Sequence, residues 1–337
     1  MHEYFFRPEV ARVALVVGVV VSILFYERVQ LTTGGAIVPA YLTMFLPAPL
    51  YILTTLATAY LTYVLVSVVI AKRWILYGRR KFEVEILVGL TLVCATTMIA
   101  VSISGQNPLF FGLTGVGMLI PGVLAHDMFR QNPRKTLFAV TATTAIVALI
   151  VFLYASLLMI SPSGQQYSLP SFDPNTGYPL ELVLLGAVCS VLVGLLSFAR
   201  LGLRSGGFIS GAYLALVLPR GWDLLFAATL ALVTWVVVTR LVMPRLLVFG
   251  RRKLSTMLLV GSVLTWSAES AIVSLTNGSY SPWSGFVLMG IMIPALLAND
   301  AQRQGLERTV WGAAIATLGV YGAMNLIDAG LIAAGLR

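Results

Sequence analysis

The chain has 337 residues, of which 58% are hydrophobic and only 10% charged, with a formal net charge of +9. Soluble domains carry about 25% charged and about 45–50% apolar residues, so this balance excludes a soluble globular enzyme, a disordered tail and a disulfide-stapled secreted domain. A transmembrane helix needs about 20 apolar residues, and the chain reads as an all-α polytopic membrane protein.

In chain order, the first half holds six apolar segments, at about 10–27, 35–48, 50–71, 86–104, 109–125 and 137–160. Arg7 and Arg12 ahead of the run Val13–Phe25 imitate a signal peptide, but no A-x-A site follows and the run ends in Glu27 and Arg28. It therefore reads as a retained first span. A polar stretch follows, and then six more apolar segments, at about 181–199, 206–219, 222–243, 257–276, 284–298 and 309–335. The second and fifth of each set are short and interrupted by Gly and Pro, which suits broken or tilted helices.

The two halves repeat one another. Gly34-Gly35-Ala36-Ile37 and Ala40-Tyr41-Leu42 recur 172 residues on as Gly206-Gly207-Phe208-Ile209 and Ala212-Tyr213-Leu214. Tyr77-Gly78-Arg79-Arg80-Lys81-Phe82 recurs at the same offset as Phe249-Gly250-Arg251-Arg252-Lys253-Leu254. Ile120-Pro121-Gly122-Val123-Leu124-Ala125-His126-Asp127 recurs 173 residues on as Ile293-Pro294-Ala295-Leu296-Leu297-Ala298-Asn299-Asp300. Ordered blocks at one offset do not arise from apolar composition, so the expected organisation is membrane repeat 1 (residues 1–160), an extracytoplasmic linker (161–179) and membrane repeat 2 (180–337).

Charge placement sets the expected orientation. If all six segments of each half cross and the N-terminus lies outside, eighteen Lys and Arg residues fall in cytoplasmic loops. Only Arg7, Arg12, Arg220 and Arg337 fall outside. That asymmetry follows the positive-inside rule. An even number of crossings makes the repeats parallel and puts both termini on the extracytoplasmic face of a bacterial cytoplasmic membrane. The positive charge thus marks orientation, not nucleic-acid binding.

Candidate functional residues follow. The matched clusters Tyr77, Gly78, Arg79, Arg80 and Lys81, and Gly250, Arg251, Arg252 and Lys253, offer guanidinium forks for carboxylate or phosphate; the plainer reading is an orientation signal with anionic-lipid contact. Gly34, Gly35, Pro39, Pro121, Gly122 and Pro294 suit interrupted helices that line a path, or else close helix packing. Among the acids, Glu27 ends the first span and Glu269 lies within an apolar run, where a carboxylate is costly and marks function or a paired structural acid. Asp127 and Asp300 occupy matched positions and are either functional, solvated, or paired with Arg130 and Arg303. His126 reads as an interface histidine, and Cys94 and Cys189 as core residues without a C-x-x-C partner. No metal site is expected, and there is no Walker A, H-E-x-x-H, G-x-S-x-G or Rossmann motif.

The strings G-G-A-I-V-P-A-Y-L (34–42), I-L-Y-G-R-R-K-F (75–82) and G-M-L-I-P-G-V-L-A-H-D (117–127), with Glu27-Arg28 ending the first span and Arg303-Gln304-Gly305-Leu306 after the fifth segment of the second half, resemble the capsule-biosynthesis CapC (PgsC) family. Departures are the duplication itself, Ala199 in place of the first-span acid, Gly211 opposite Pro39, and Phe249 opposite Tyr77. The resemblance implies a membrane subunit of a poly-γ-glutamate synthesis and export complex, not catalytic alone. Its implied partners are a cytoplasmic Mur-ligase-like amide ligase of the CapB (PgsB) type, a further capsule-complex subunit, the anionic polymer and the lipid bilayer. It implies no cofactor on this chain, with ATP on the ligase. The competing reading of the residues is a stand-alone proton-coupled transporter of a small anion that uses Glu269 or Glu27.

Overall fold

The computed structural model describes residues 8–73, 78–104, 112–160, 180–246, 250–283 and 286–333. Contacts divide the chain into two compact units, Met1–Leu169 and Pro170–Arg337. The expected linker, 161–179, lies outside the described residues.

Unit 1 contains α1 (Pro8–Val29), α2 (Val38–Met44), α3 (Pro49–Val64), α4 (Gly78–Ser104), α5 (Ile120–Gln131) and α6 (Pro133–Ile160). Unit 2 contains α7 (Leu180–Leu201), α8 (Ser210–Val217), α9 (Gly221–Val236), α10 (Arg251–Leu275), α11 (Val287–Gln304) and α12 (Leu306–Ala333). α3 continues through a π-helical stretch, Leu65–Ile70, to Arg73, and α9 through the matched stretch Val237–Val242 to Leu246. Each unit is built from two groups of three helices: α1, α2 and α6 beside α3, α4 and α5, then α7, α8 and α12 beside α9, α10 and α11.

Among the described residues, eight helices are long and apolar enough to cross a membrane. Each unit has four, and the second and fifth segments of each half are not among them, in keeping with their Gly- and Pro-interrupted sequences. α2 has seven residues and α8 eight, about 10–12 Å at the helical rise, against a hydrocarbon core of about 30 Å. α5 has twelve residues, and the eighteen of α11 carry Pro294 inside the helix.

The physical reason lies in Gly and Pro. Gly34 and Gly35 stand at φ +76° and +92°, and Gly206 and Gly207 at +82° and +104°, a region closed to most side chains. Pro39 and Pro121 sit at the first positions of α2 and α5, where a missing N–H costs nothing.

The short segments of unit 1 nevertheless run from one end of the unit to the other. A Cβ on Gly18, in the middle of α1, would stand 2.7 Å from the Cβ of Ala40, the Thr43 hydroxyl donates to the Thr144 carbonyl midway along α6, and Phe45 meets Tyr51 at the start of α3. The other segment starts with Gly112 against Leu50 and passes Val116, whose N–H donates to the Thr55 hydroxyl at 2.6 Å. Through α5 it then descends to the end of α1. The basic ends of α1, α3 and α5 and the basic start of α4 therefore gather at one end of the unit, as the charge pattern requires.

Large apolar side chains such as Leu149 and Leu153 on α6 and Leu318 and Leu326 on α12 face outward, as a lipid-facing surface demands. The chain is a multi-pass membrane protein. Inside unit 1, α4 and α5 cross backbone against backbone: a Cβ on Gly122 would stand 2.7 Å from the Ile86 Cα and 2.9 Å from the Glu85 carbonyl oxygen. Backbone cannot yield as a side chain can. Gly122→Leu is therefore expected to destabilise the protein by about 1–3 kcal/mol or more, whereas Gly78→Ala, with φ +61° but open space, should cost only about 1 kcal/mol; thermal unfolding in detergent compares the two.

Candidate functional site

The basic end of each unit is held by one polar clamp. The N–H of Gly34 donates to the Asp127 carboxylate at 3.0 Å, and that of Gly206 to Asp300 at 3.1 Å. Both aspartates are buried and not solvated; Asp300 also lies 3.9 Å from Arg204. Beside them a glutamine amide brackets the chain entering the Gly-Gly turn. Gln131 accepts from the N–H of Thr32 at 2.7 Å and donates to the Thr32 carbonyl at 2.6 Å and to the Thr136 hydroxyl at 3.0 Å. Gln304 makes the same three bonds with Arg204 N–H, Arg204 carbonyl and Thr309, at 2.9, 2.9 and 3.1 Å. The clamp satisfies backbone groups freed where the helix stops, and each glutamine sits just before a left-handed residue, Asn132 at φ 81° or Gly305 at φ 93°, that ends its helix.

The basic clusters lie one layer beyond. Lys81 is buried with its ammonium over the ring of Phe129 on α5, and Lys253 donates to Gln302, the matched position on α11. In both units the lysine is thus spent on packing the start of one helix against the end of another. Arg80 and Arg252 are exposed. Tyr77 lies outside the described residues, as do the side chains of Arg79 and Arg251.

The other expected residues are placed differently. Glu27 is exposed at the end of α1. Gly34, Pro39, Pro121, Gly122 and Pro294 are buried among helices, and Gly35 is exposed. Glu269 is buried on α10, about 9 Å short of the end remote from the basic cluster, so it is not brought together with Asp300.

Unit 1 also holds a pair that the sequence reading overlooked. His126 Nδ1 lies 2.6 Å from Glu85 Oε2, with Phe82 edge-on to the imidazole at 4.7 Å between ring centres. Glu85 is fully buried, and Glu83, two residues earlier, is buried as well. In unit 2 the matched residues are Met257 and Asn299, so both partners differ. The glutamines and Glu85 left signals that were available: Gln131 and Gln304 recur at the 173-residue offset, and Glu85 stands one helical turn after Lys81. Among the described residues no group of three His, Cys, Asp or Glu could hold a metal ion. At the remote end of unit 2 the Tyr280 hydroxyl donates to Asp223 at 2.5 Å, and burial together with this bond raises the phenol above its ordinary range.

A family model described as capsule biosynthesis CapC matches twice, over residues 17–137 and 189–310. The chain belongs to the capsule biosynthesis CapC family. It is 31% identical over 142 residues to the PGA biosynthesis protein CapC of Bacillus subtilis (strain 168), covering 42% of this chain and 93% of that protein. To the capsule biosynthesis protein CapC of Bacillus anthracis it is 33% identical over 120 residues, covering 36% of this chain and 78% of the relative. No solved structure matches. Two family matches in one chain, each relative spanning well under half of it, fit a tandem duplication of the CapC unit.

The clamp predicts a shared cost. Gln131→Leu and Gln304→Leu should each lower stability by about 1–3 kcal/mol, because part-buried backbone groups lose their partners. Gln131→Glu should be no better, since a carboxylate cannot donate to the Thr32 carbonyl. Thermal midpoints of the single variants in detergent test this.

Proposed function

We propose that this protein is the membrane subunit of a poly-γ-glutamate capsule synthesis and export complex in the bacterial cytoplasmic membrane. It would work with a cytoplasmic ATP-dependent amide ligase and a further capsule subunit, with its basic ends facing the cytoplasm and its termini outside. The chemistry of chain growth, activation of a carboxylate by ATP, belongs to the ligase in this reading; ATP is not expected to bind this chain. Membership of the CapC family in both units supports the reading.

The observation that carries it is the division of labour in the basic motif. The lysine of each motif is bound up in helix packing, while Arg80 and Arg252 stand exposed where cationic residues gather. A guanidinium binds a carboxylate through two parallel hydrogen bonds. Exposed contacts of that kind are weakened by salt, so a polyanion could be held at several points and still slide.

Removing the arginines should therefore abolish export while leaving the fold intact. Alanine at Arg79, Arg80, Arg251 and Arg252 together is expected to remove cell-surface polymer without changing the amount of protein in the membrane. Lys81→Ala is expected to lower the thermal midpoint instead. Affinity capture of the tagged full chain in mild detergent should recover the amide ligase. Full polymer export by the four-arginine variant, or a chain that comes down without a ligase, would sink the proposal.

A further inference from the structure

One buried helix crossing is ionisable in unit 1 and not in unit 2. Its frame is the same in both: Gly89 on α4 packs on Gly122 of α5, and Gly261 on α10 packs on Ala295 of α11. On that frame unit 1 sets Glu85, 0% exposed, against His126, with Nδ1 and Oε2 at 2.6 Å. Unit 2 sets Met257 and Asn299 in the matched places, 0% and 6% exposed. The crossing thus closes without a titratable group, so the fold by itself does not demand the acid and base of unit 1.

The two members of the pair differ in access. Glu85 Oε1 is buried and has no hydrogen-bond partner, so the carboxyl meets the imidazole and no second donor. The imidazole is 23% exposed, and Nδ1 is the nitrogen that Glu85 occupies. A carboxylate on Nδ1 keeps that nitrogen protonated and leaves the lone pair on Nε2, which bonds to nothing among the described residues. The charged group within electrostatic reach of Glu85 is Lys81, one turn earlier on α4, whose ammonium rests over Phe129, one turn past His126 on α5. The other nearby acids are engaged, Asp127 with the Gly34 N–H and Glu83 in an interaction of its own. Arg80 on α4 and Arg130 on α5 are exposed. So are Lys72 and Arg73 beyond α3 and Arg134 and Lys135 on α6, the elements packed on α4 and α5. Neither they nor Tyr60, Tyr63 and Tyr154 on those elements bond to the pair.

We propose that Glu85 and His126 form a proton-binding site at the basic end of unit 1, which exchanges a proton with water through the imidazole. With one proton on the pair, Nδ1–H donates to the carboxylate and Nε2 is bare. A second proton enters at Nε2, and no hydrogen bond within the protein has to break to admit it. The pair then passes from one negative charge to an imidazolium–carboxylate couple with no net charge. That change reaches Lys81. In the first state the carboxylate offsets the buried ammonium; in the second it is shared with an imidazolium, and the attraction that holds Lys81 in place weakens. The site therefore ties proton concentration to how firmly the first basic motif is packed, and unit 2 has no equivalent. The inference stands on α4 and α5 and not on the polymer reading, so its failure leaves that reading untouched.

The test uses the purified full chain in detergent, its histidines labelled with nitrogen-15 and followed by magnetic resonance. The chain has two histidines, His2 and His126, so His2→Gln assigns the signals. Over about pH 5 to 8, Nδ1 should stay protonated while Nε2 changes from a bare nitrogen to an N–H as the pH falls. Glu85→Met should release the neutral ring to both tautomers. A second reading is the loss of thermal midpoint on Lys81→Ala. It should shrink as the pH falls through the Nε2 titration, and it should be the same at every pH when Glu85→Met and His126→Asn are also present. Those two substitutions together reproduce what unit 2 carries; should they fail to fold, His126→Asn alone, whose amide still donates to Glu85, serves the same comparison. An imidazole that keeps one protonation state over this range would overturn the site. So would a tautomer unchanged by Glu85→Met, or a Lys81→Ala loss of equal size at every pH in the otherwise wild-type chain.

Discussion

A backbone that leaves the helix inside a bilayer must find partners within the protein, because lipid supplies none. That constraint governs the basic end of both units. The Gly-Gly turns interrupt the helical ladder, and the aspartate and glutamine near the end of α5 or α11 take up the N–H and carbonyl groups so released. Two elements almost a hundred residues apart in each unit are tied by side chain to main chain. The rest of each unit is arranged around that tie.

The tie also explains what the duplication has kept and what it has changed. Asp127 and Asp300, Gln131 and Gln304, and Thr136 and Thr309 keep their chemistry because the backbone they serve is the same in both units. Positions that serve only side chains differ between the units: Glu85 and His126 are matched by Met257 and Asn299, and Phe129 under Lys81 is matched by Gln302 bound to Lys253. A buried carboxyl that loses its hydrogen-bond partner costs free energy, so a change at one of these two positions favours a change at the other. Unit 1 accordingly carries a Glu–His helix crossing beside its basic end, whereas unit 2 carries its buried Glu269 in the opposite half of α10.

The same logic separates the roles within the basic motif. Sequence alone presents Arg-Arg-Lys as one patch. Folded, its lysine lies across the neighbouring helix end while Arg80 and Arg252 face outward. A long aliphatic stem lets Lys cover apolar surface, whereas the planar guanidinium suits a carboxylate ligand. Retention of both residue types in both units follows from two different needs.

Much was already legible in the chain. Hydropathy determined the membrane class and the eight long helices, and repetition at a fixed offset determined that there are two units. Lys and Arg placement determined which helix ends gather, since these properties are written in local composition. The extent of the short helices was not, because an apolar run reads alike whether it coils or stays extended, and only Gly34, Pro39, Pro121 and the partners they meet decide where coiling starts. The glutamine clamp and the Glu85–His126 pair were likewise decided by tertiary structure. Each depends on which side of a helix meets which neighbour at a crossing set by Gly89, Gly122, Gly261 and Ala295, and sequence spacing within one helix says nothing of the partner across it.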